Sequence, residues 1–124
     1  MPVLPRPPAP THDLGSTRFT SLATPSLGSS ETALWEVAIE PGAPPAPHAV
    51  TRGEVFLVID GIATVTIEDS EDTATPGDTI VVPPDVRFEL RNDGHALLRM
   101  LCCMPVGGQA CLEDGSTFTP PWAE

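Results

Sequence analysis

The sequence predicts an all-β protein, either a sandwich or a barrel, and three observations indicate this class. Short apolar or alternating segments recur along the chain and are separated by turn residues. The 124 residues include 16 prolines and 10 glycines, which favour turns over long helices. No segment has the pattern of a convincing helix. The length fits one domain that buries a core without metal or disulfide bonds.

Seven segments are predicted to be strands, because each is apolar or alternating and ends at a turn signal: residues 18–22, 32–40, 54–60, 62–68, 79–82, 86–91 and 96–104. The whole chain is expected to hold seven to nine short strands. The acidic stretch 69–75 is predicted to be a loop. On the second strand, Glu36 and Glu40 are expected to face solvent.

Two turn sequences predict hairpins between consecutive strands: Asp-Gly at 60–61 and Asn-Asp-Gly at 92–94. The second hairpin would place Phe88 opposite Leu98. It would also keep His95, just after the turn, away from any site that includes Phe88.

The two ends of the sequence differ in composition from its middle. Residues 1–12 are rich in proline and are predicted to form a flexible or polyproline arm. Residues 13–124 are predicted to form a single barrel, with a turn-rich tail at 107–124 that lies on it. Whether these terminal arms exchange between subunits is left open.

One strand is apolar on both faces. Residues 55–59 read Val-Phe-Leu-Val-Ile, and a strand that is buried on both faces must be covered outside the barrel as well as inside. The sequence therefore predicts a homodimer. The alternative is that the N-terminal or C-terminal segment of the same chain provides the cover.

The charge balance excludes several classes of partner. The formal net charge of −11 at pH 7 repels phosphates, so neither nucleic acid nor an anionic membrane is expected as a partner. No apolar run approaches the length that spans a bilayer, and no secretory signal is recognised. A cytoplasmic location is expected. The odd number and the spacing of the cysteines fit neither a disulfide framework nor a zinc site, so small buried or half-buried thiols are expected at 102, 103 and 111.

A histidine and a glutamate are the candidate functional pair. His48 follows a proline-rich approach at 41–47 and lies six residues before Glu54, across an Arg-Gly turn at 52–53. Two adjacent antiparallel strands would direct both side chains into one cavity. An imidazole and a carboxyl group in one cavity suit general acid–base catalysis.

The spacing around this pair resembles the first motif of the cupin superfamily. That motif has a glycine, five residues, His-x-His, three or four residues, a glutamate, six residues and a glycine. Gly42, His48, Glu54 and Gly61 fall in this register, and Val50 stands in place of the second histidine.

A later stretch is similar to the second cupin motif, which has a glycine, five residues, Pro-x-Gly, two residues, a histidine, three residues and an asparagine. Gly77, Pro83 and Asn92 match it, whereas Asp85 replaces the glycine and Phe88 replaces the histidine. The two motifs cover about 50 of the 124 residues. The resemblance implies a jelly-roll barrel, or double-stranded β-helix, with extended terminal arms.

The resemblance also places the four ligands of metal-binding cupins at positions 48, 50, 54 and 88. His48 and Glu54 remain, but valine and phenylalanine have no lone pair to donate. Two protein ligands fall short of the three that catalytic metal sites usually have. No cofactor is therefore expected. The alternative is one weakly bound divalent transition metal on His48 and Glu54, with Cys102 as a further candidate ligand.

The function that follows is metal-independent acid–base chemistry on a small hydrophobic or aromatic molecule, of the isomerase, cyclase or dehydratase type. Either His48 or Glu54 is the base, and the other is the acid. Burial among apolar neighbours raises the pKa of a carboxyl group toward neutrality. The candidate substrate-binding residues are Trp35, Val50, Phe56, Phe88, Leu90, Met100 and Cys102.

Three other hypotheses stay open at this point. The protein could be a metal-dependent oxygenase or isomerase with a reduced ligand set, a non-catalytic sensor or binding module, or a cupin whose site has decayed. Arg87 and Arg99 have the parity of the outer face, so a role with an anionic substrate is not expected of them. The likeness to small stand-alone cupins suggests, by analogy, an enzyme of bacterial biosynthesis.

Overall fold

The computed structural model describes residues 3–124. Twelve strands occur in this part of the chain, and eight of them have four residues or more. They are β1 (His12–Asp13), β2 (Thr17–Ala23), β3 (Thr32–Ile39), β4 (Ala49–Val50), β5 (Glu54–Asp60), β6 (Ala63–Ile67), β7 (Ser70–Ala74), β8 (Thr79–Val82), β9 (Phe88–Arg91), β10 (Leu98–Pro105), β11 (Ala110–Cys111) and β12 (Thr117–Phe118). Two 3₁₀ turns lie at Pro25–Leu27 and Pro121–Ala123. None of the described helices is long and apolar enough to cross a membrane.

The strands form two layers that face each other across the core. One layer is a six-stranded sheet with the order β1-β2-β3-β10-β5-β8. The other contains the sheets β7-β6-β9 and β4-β11-β12, which meet where His48 pairs with Phe88. All the strand pairs are antiparallel. The predicted all-β jelly-roll barrel is confirmed.

Alternation along the strands explains how the core forms. Along β10 every second residue is buried, from Leu98 to Met104, because successive side chains of a strand point to opposite faces. These inward side chains pack into one cluster with residues of the facing layer, including Val65 and Phe88. Three of these β10 side chains, Met100, Cys102 and Met104, also line a cavity in the interior of the barrel.

The predicted hairpin at 60–61 is wrong, because this turn passes from one layer to the other. β5 pairs with β8 and β10, whereas β6 pairs with β7 and β9. Gly61 has a φ of +82°, and a Cβ atom there would lie 2.6 Å from the carbonyl oxygen of Leu97. A close approach to the chain before β10 therefore requires the glycine.

The second predicted hairpin, at the Asn-Asp-Gly turn, is wrong for a similar reason. β9 pairs with β6, whereas β10 pairs with β3 and β5. Phe88 lies opposite Ile67, and Leu98 lies opposite Ile39, so the predicted pairing of Phe88 with Leu98 is also wrong. The buried Asn92 side chain donates a hydrogen bond of 2.8 Å to the Ile39 carbonyl. This bond holds the segment that crosses between the layers, after β9, against the end of β3.

The acidic stretch that was expected to be a loop forms strand β7, so this expectation is wrong. β7 pairs with β6 along its whole length and lies at the edge of its sheet. Its first four residues are exposed, and only Ala74 is buried. An exposed edge strand holds polar side chains on both faces, so it lacks the alternation that identifies a half-buried strand.

Glu36 is not solvated as expected, because it lies under an ion-pair cluster on the outer face of the six-stranded sheet. It is 5% exposed, and its carboxylate accepts hydrogen bonds from Arg6 and Arg99 at 2.5 and 2.6 Å. Residues 6–10 lie over the same face of the sheet. The predicted arm, residues 1–12, thus contacts the barrel, although its first two residues lie outside the described part of the chain.

Candidate active site

A cavity of about 580 Å³ lies between the two layers. Its wall comes mainly from β3, β5, β9 and β10, and side chains from 14–17, 43–46 and 112–120 surround its mouth. Every phenylalanine and tryptophan of the chain lines this cavity: Phe19, Trp35, Phe56, Phe88, Phe118 and Trp122. Its size and its apolar wall are typical of sites that bind small molecules.

The structure brings all nine predicted site residues to the wall of this cavity. They are Trp35, His48, Val50, Glu54, Phe56, Phe88, Leu90, Met100 and Cys102. Inward parity explains most of these positions, because Phe56 lies two residues after Glu54, and Cys102 lies two residues after Met100. The catalytic and binding roles of the nine residues stay predictions.

Glu54 begins β5 and faces the cavity. It is 6% exposed, and no described residue stabilises its charged form by a hydrogen bond or an opposite charge. Burial therefore raises the pKa of this carboxyl group to about 8, because a carboxylate loses its hydration in an apolar environment. Glu54 is consequently protonated, and able to donate a hydrogen bond, at neutral pH.

His48 is held in one orientation by its neighbours. Its Nδ1 atom lies 2.8 Å from the carbonyl oxygen of Ala46, and a carbonyl only accepts, so Nδ1 carries the proton. The backbone groups of His48 and Phe88 exchange two hydrogen bonds, of 3.0 and 2.8 Å. The two rings pack with their centroids 4.5 Å apart. In the neutral imidazole the free lone pair is therefore on Nε2.

His48 and Glu54 share the cavity but do not come from adjacent strands, as had been expected. His48 pairs with Phe88 of β9 in one layer, whereas Glu54 pairs with Val82 of β8 in the other. The turn at 52–53 carries the chain across the barrel instead of forming a hairpin. The two side chains therefore reach the one cavity from different layers.

The donor set does not fit the metal site that the cupin motifs describe. Val50 and Phe88 are both about 2% exposed and present only carbon atoms. No group of three potential ligands occurs among residues 3–124. Cys102 lines the cavity, but burial and the nearby Glu54 raise its thiol pKa, which disfavours the thiolate that binds metals. The residues of this site therefore do not fit a catalytic metal ion.

The other charged candidates lie outside the cavity. Arg99 pairs with Glu36 and Asp60 on the outer face of the sheet, and Arg87 pairs with Glu113. His95 is exposed in the turn before β10. None of the three is among the residues that line the cavity.

Sequence reasoning missed an aromatic pair that forms part of the wall. The rings of Phe19 and Trp122 stack at 3.6 Å and are nearly parallel, with an angle of 4°. The Ser21 hydroxyl holds the tail in place by donating a 2.7 Å hydrogen bond to the Trp122 carbonyl. The inward parity of Phe19 on β2 was a usable signal, whereas the position of Trp122 depends on contacts that are distant in sequence.

Comparison with a curated protein gives one partial likeness. An uncharacterized protein of Methanocaldococcus jannaschii is 30% identical over 53 residues, which is 43% of this chain and 42% of that protein. The chain thus matches less than half the length of this relative.

Solved structures resemble the fold as a whole. A cupin from Shewanella frigidimarina that is described as RmlC-like has a TM-score of 0.66 at 20% identity, with 75% of this chain and 79% of that chain covered. KdgF from a Halomonas species has a TM-score of 0.65 at 18% identity, covering 76% and 84%. The polyketide cyclase RemF from Streptomyces resistomycificus has a TM-score of 0.63 at 20% identity, covering 73% and 65%.

A family model decides the classification. The model described as "Cupin domain" matches residues 35–104, which are more than half of the 124 residues. This range begins within β3, includes β4 to β9 and all but the last residue of β10, and therefore contains strands of both layers of the barrel. The chain belongs to the cupin family.

Proposed function

We propose that this cupin is a metal-independent acid–base enzyme of the isomerase, cyclase or dehydratase type, and that its substrate is a small hydrophobic or aromatic molecule. One observation supports the proposal above all others. A protonated carboxyl group, Glu54, and an imidazole with a free Nε2, His48, face one aromatic cavity from opposite layers. Two groups of opposite protonation state on either side of a substrate are suited to concerted proton transfer.

The structure favours one of the two role assignments that the sequence left open. Glu54 is the acid, because burial keeps its proton in place at neutral pH. His48 is the base, because its Nδ1 proton is committed to the Ala46 carbonyl and its Nε2 can accept a proton. His48 removes a proton from a carbon next to a carbonyl group while Glu54 protonates the carbonyl oxygen. The enol that forms is neutral, and the reverse transfers restore both groups.

Cyclisation is the reaction type to be tested first. The polyketide cyclase among the structural neighbours shares the fold at 20% identity, and at this level the likeness supports the architecture alone. The internal argument is independent of this neighbour, because an enol is also the nucleophile of an intramolecular carbon–carbon bond formation. An isomerase or a dehydratase requires the same first proton removal.

Deuterium exchange tests this proposal without knowledge of the natural substrate. Chelator-treated protein is incubated with 2-tetralone or 1-indanone in deuterated buffer, and incorporation next to the carbonyl is followed by NMR. The wild type is expected to accelerate exchange, and His48→Gln or Glu54→Gln is expected to lower the rate about 10²-fold. The control, Glu89→Gln, changes a carboxyl group that pairs with Arg91 outside the cavity. Exchange no faster than in buffer, or unaffected by the first two substitutions, contradicts the proposal.

We also propose that the protein is a homodimer that forms through the outer face of the six-stranded sheet. Val55 and Val81 lie side by side there and are 41% and 64% exposed. Leu57 continues this strip beside Leu101. Residues 6–10 of the same chain cover the neighbouring charged part of the face but not Val55 and Val81. A second copy would remove this exposed apolar surface from water.

We propose a cytoplasmic location on the basis of the cysteines. All three are free: Cys102 is buried, and Cys103 and Cys111 are half-buried. Free thiols persist in reducing compartments, whereas oxidising compartments favour disulfides. Localisation of a fluorescent fusion, with fractionation of the cells, tests this assignment.

A further inference from the structure

The cavity contains no cationic side chain of the usual anion-binding kinds. The chain has six arginines and no lysine, and no arginine is among the residues that line the cavity. Five of the six are paired with acids that lie outside the cavity, among them Arg18 with Glu40 and Arg91 with Glu71. The only titratable side chains on the described wall are His48, Glu54 and Cys102.

An anionic ligand would meet two unfavourable conditions in this cavity. It would lose its hydration against an aromatic wall without gaining a guanidinium or ammonium partner. The overall formal charge of −11 adds a repulsive field outside the mouth.

A neutral ligand with a hydrogen-bond acceptor meets complementary groups instead. The Glu54 carboxyl group is buried at the start of β5 and has no hydrogen-bond partner among the residues described. The protonated carboxyl group is a hydrogen-bond donor on the cavity wall, so a carbonyl or ether oxygen of a ligand can accept from it. The six aromatic side chains of the wall, of which Phe56 and Phe88 lie 6.0 Å apart, suit a planar ring system.

We infer that the site selects an uncharged aromatic carbonyl compound, whose oxygen accepts a hydrogen bond from Glu54, and rejects carboxylates and phosphates of the same shape. This inference rests on the proposed function for its site, but it concerns binding and can be tested without turnover. The geometry of the wall, with its aromatic rings, single carboxyl group and lack of arginine, defines the substrate class.

A matched pair of probes tests the inference. 2-Acetylnaphthalene and 2-naphthoate share one ring system and differ mainly in charge, and 2-ethylnaphthalene lacks the oxygen. Trp35 and Trp122 line the cavity, so binding is followed by their fluorescence at pH 6.5. The ketone is expected to bind at least about tenfold more tightly than the carboxylate. Equal or tighter binding of 2-naphthoate overturns the inference, and so does the failure of all three probes to bind.

Substitutions at Glu54 separate its hydrogen bond from the shape of the cavity. Glu54→Leu is expected to weaken binding of the ketone several-fold and to leave that of 2-ethylnaphthalene nearly unchanged, whereas Glu54→Gln keeps a neutral donor and retains the preference. Glu89→Gln is the control, because Glu89 lies outside the cavity. Equal losses for both probes in Glu54→Leu contradict the hydrogen-bond assignment. Selective binding of the ketone without deuterium exchange would contradict the proposed enzymatic activity and leave this inference intact. Deuterium exchange on anionic ligands would support the enzymatic activity and contradict this inference.

Discussion

His48, just before β4, and Phe88, the first residue of β9, form an isolated antiparallel bridge, with both backbone hydrogen bonds made and their ring centroids 4.5 Å apart. Phe88 occupies the position that the second cupin motif gives to a histidine ligand. Here its ring packs against the imidazole instead of sharing a metal with it. The side chain at this position thus supports the imidazole of His48.

Removal of this support is expected to destabilise the fold. Phe88 is among the largest fully buried side chains, and Phe88→Ala should lower the free energy of unfolding by about 3–5 kcal/mol. Urea unfolding measures the loss. The matched control is Phe118→Ala, because Phe118 lines the mouth and is partly exposed, and its loss should be about 1 kcal/mol or less. Similar losses in both variants contradict the role assigned to Phe88.

The absence of metal ligands at two positions predicts how metal binding can be restored. The double variant Val50→His and Phe88→His returns the motif's three imidazoles and one carboxylate, which suit zinc or nickel. After loading and dialysis, elemental analysis should find about one ion per chain in this variant and far less in the wild type. The control places histidines at Val37 and Leu90, which also line the cavity. Stoichiometric metal in the wild type contradicts the account.

The pKa of Glu54 predicts a distinctive dependence of stability on pH. Its folded-state pKa of about 8 lies above the ordinary 4.5, so the folded state binds the proton more tightly than the unfolded state. The resulting stabilisation is complete below pH 4.5 and is lost as the pH rises through 8. Relative to Glu54→Gln, the wild type should lose roughly 3–5 kcal/mol over this range.

The comparison with Glu54→Gln isolates this one group. His48 and Cys102, the other titratable side chains of the cavity, are present in both proteins, as are the surface carboxylates. Urea unfolding at a series of pH values gives the difference in free energy directly. A difference that does not change with pH would mean that Glu54 titrates alike in the folded and unfolded states.

The proposed dimer predicts a specific response to charge on the outer face. Val81→Glu places a carboxylate in the exposed apolar strip and should convert a dimer into a monomer in light scattering coupled to gel filtration. Thr73→Glu is the matched control on the exposed edge strand β7 of the other layer, and it should leave the mass unchanged. A monomeric wild type, or a dimer that survives Val81→Glu, contradicts this assignment.

The sequence predicted seven of the eight strands that have four residues or more, all except β7, and nine of the residues that line the cavity, because both depend on local alternation. β5 and β8 begin and end where their apolar patterns begin and end. The nine candidate residues reach one cavity because most of them share the inward parity of their strands.

The pairing of the strands could not be predicted in the same way. Turn residues indicate where the chain changes direction but not which strand the next segment will pair with. The sequence therefore could not predict that the turn at 60–61 crosses from one layer to the other. The burial of Glu36 likewise depends on Arg6, which is distant in sequence. Asp85 adopts a φ of +62° at the position of the motif's glycine, so the backbone geometry there is kept although the residue differs.

The protonation state of Glu54 is the centre of this account, and NMR measures it most directly. Protein labelled with ¹³C at the glutamate carboxyl carbons is titrated, and the Glu54 signal is assigned by its loss in Glu54→Gln. The account predicts a midpoint near 8. A midpoint near the ordinary 4.5 would show a carboxylate that is charged at neutral pH, and it would contradict the role of Glu54 as the acid.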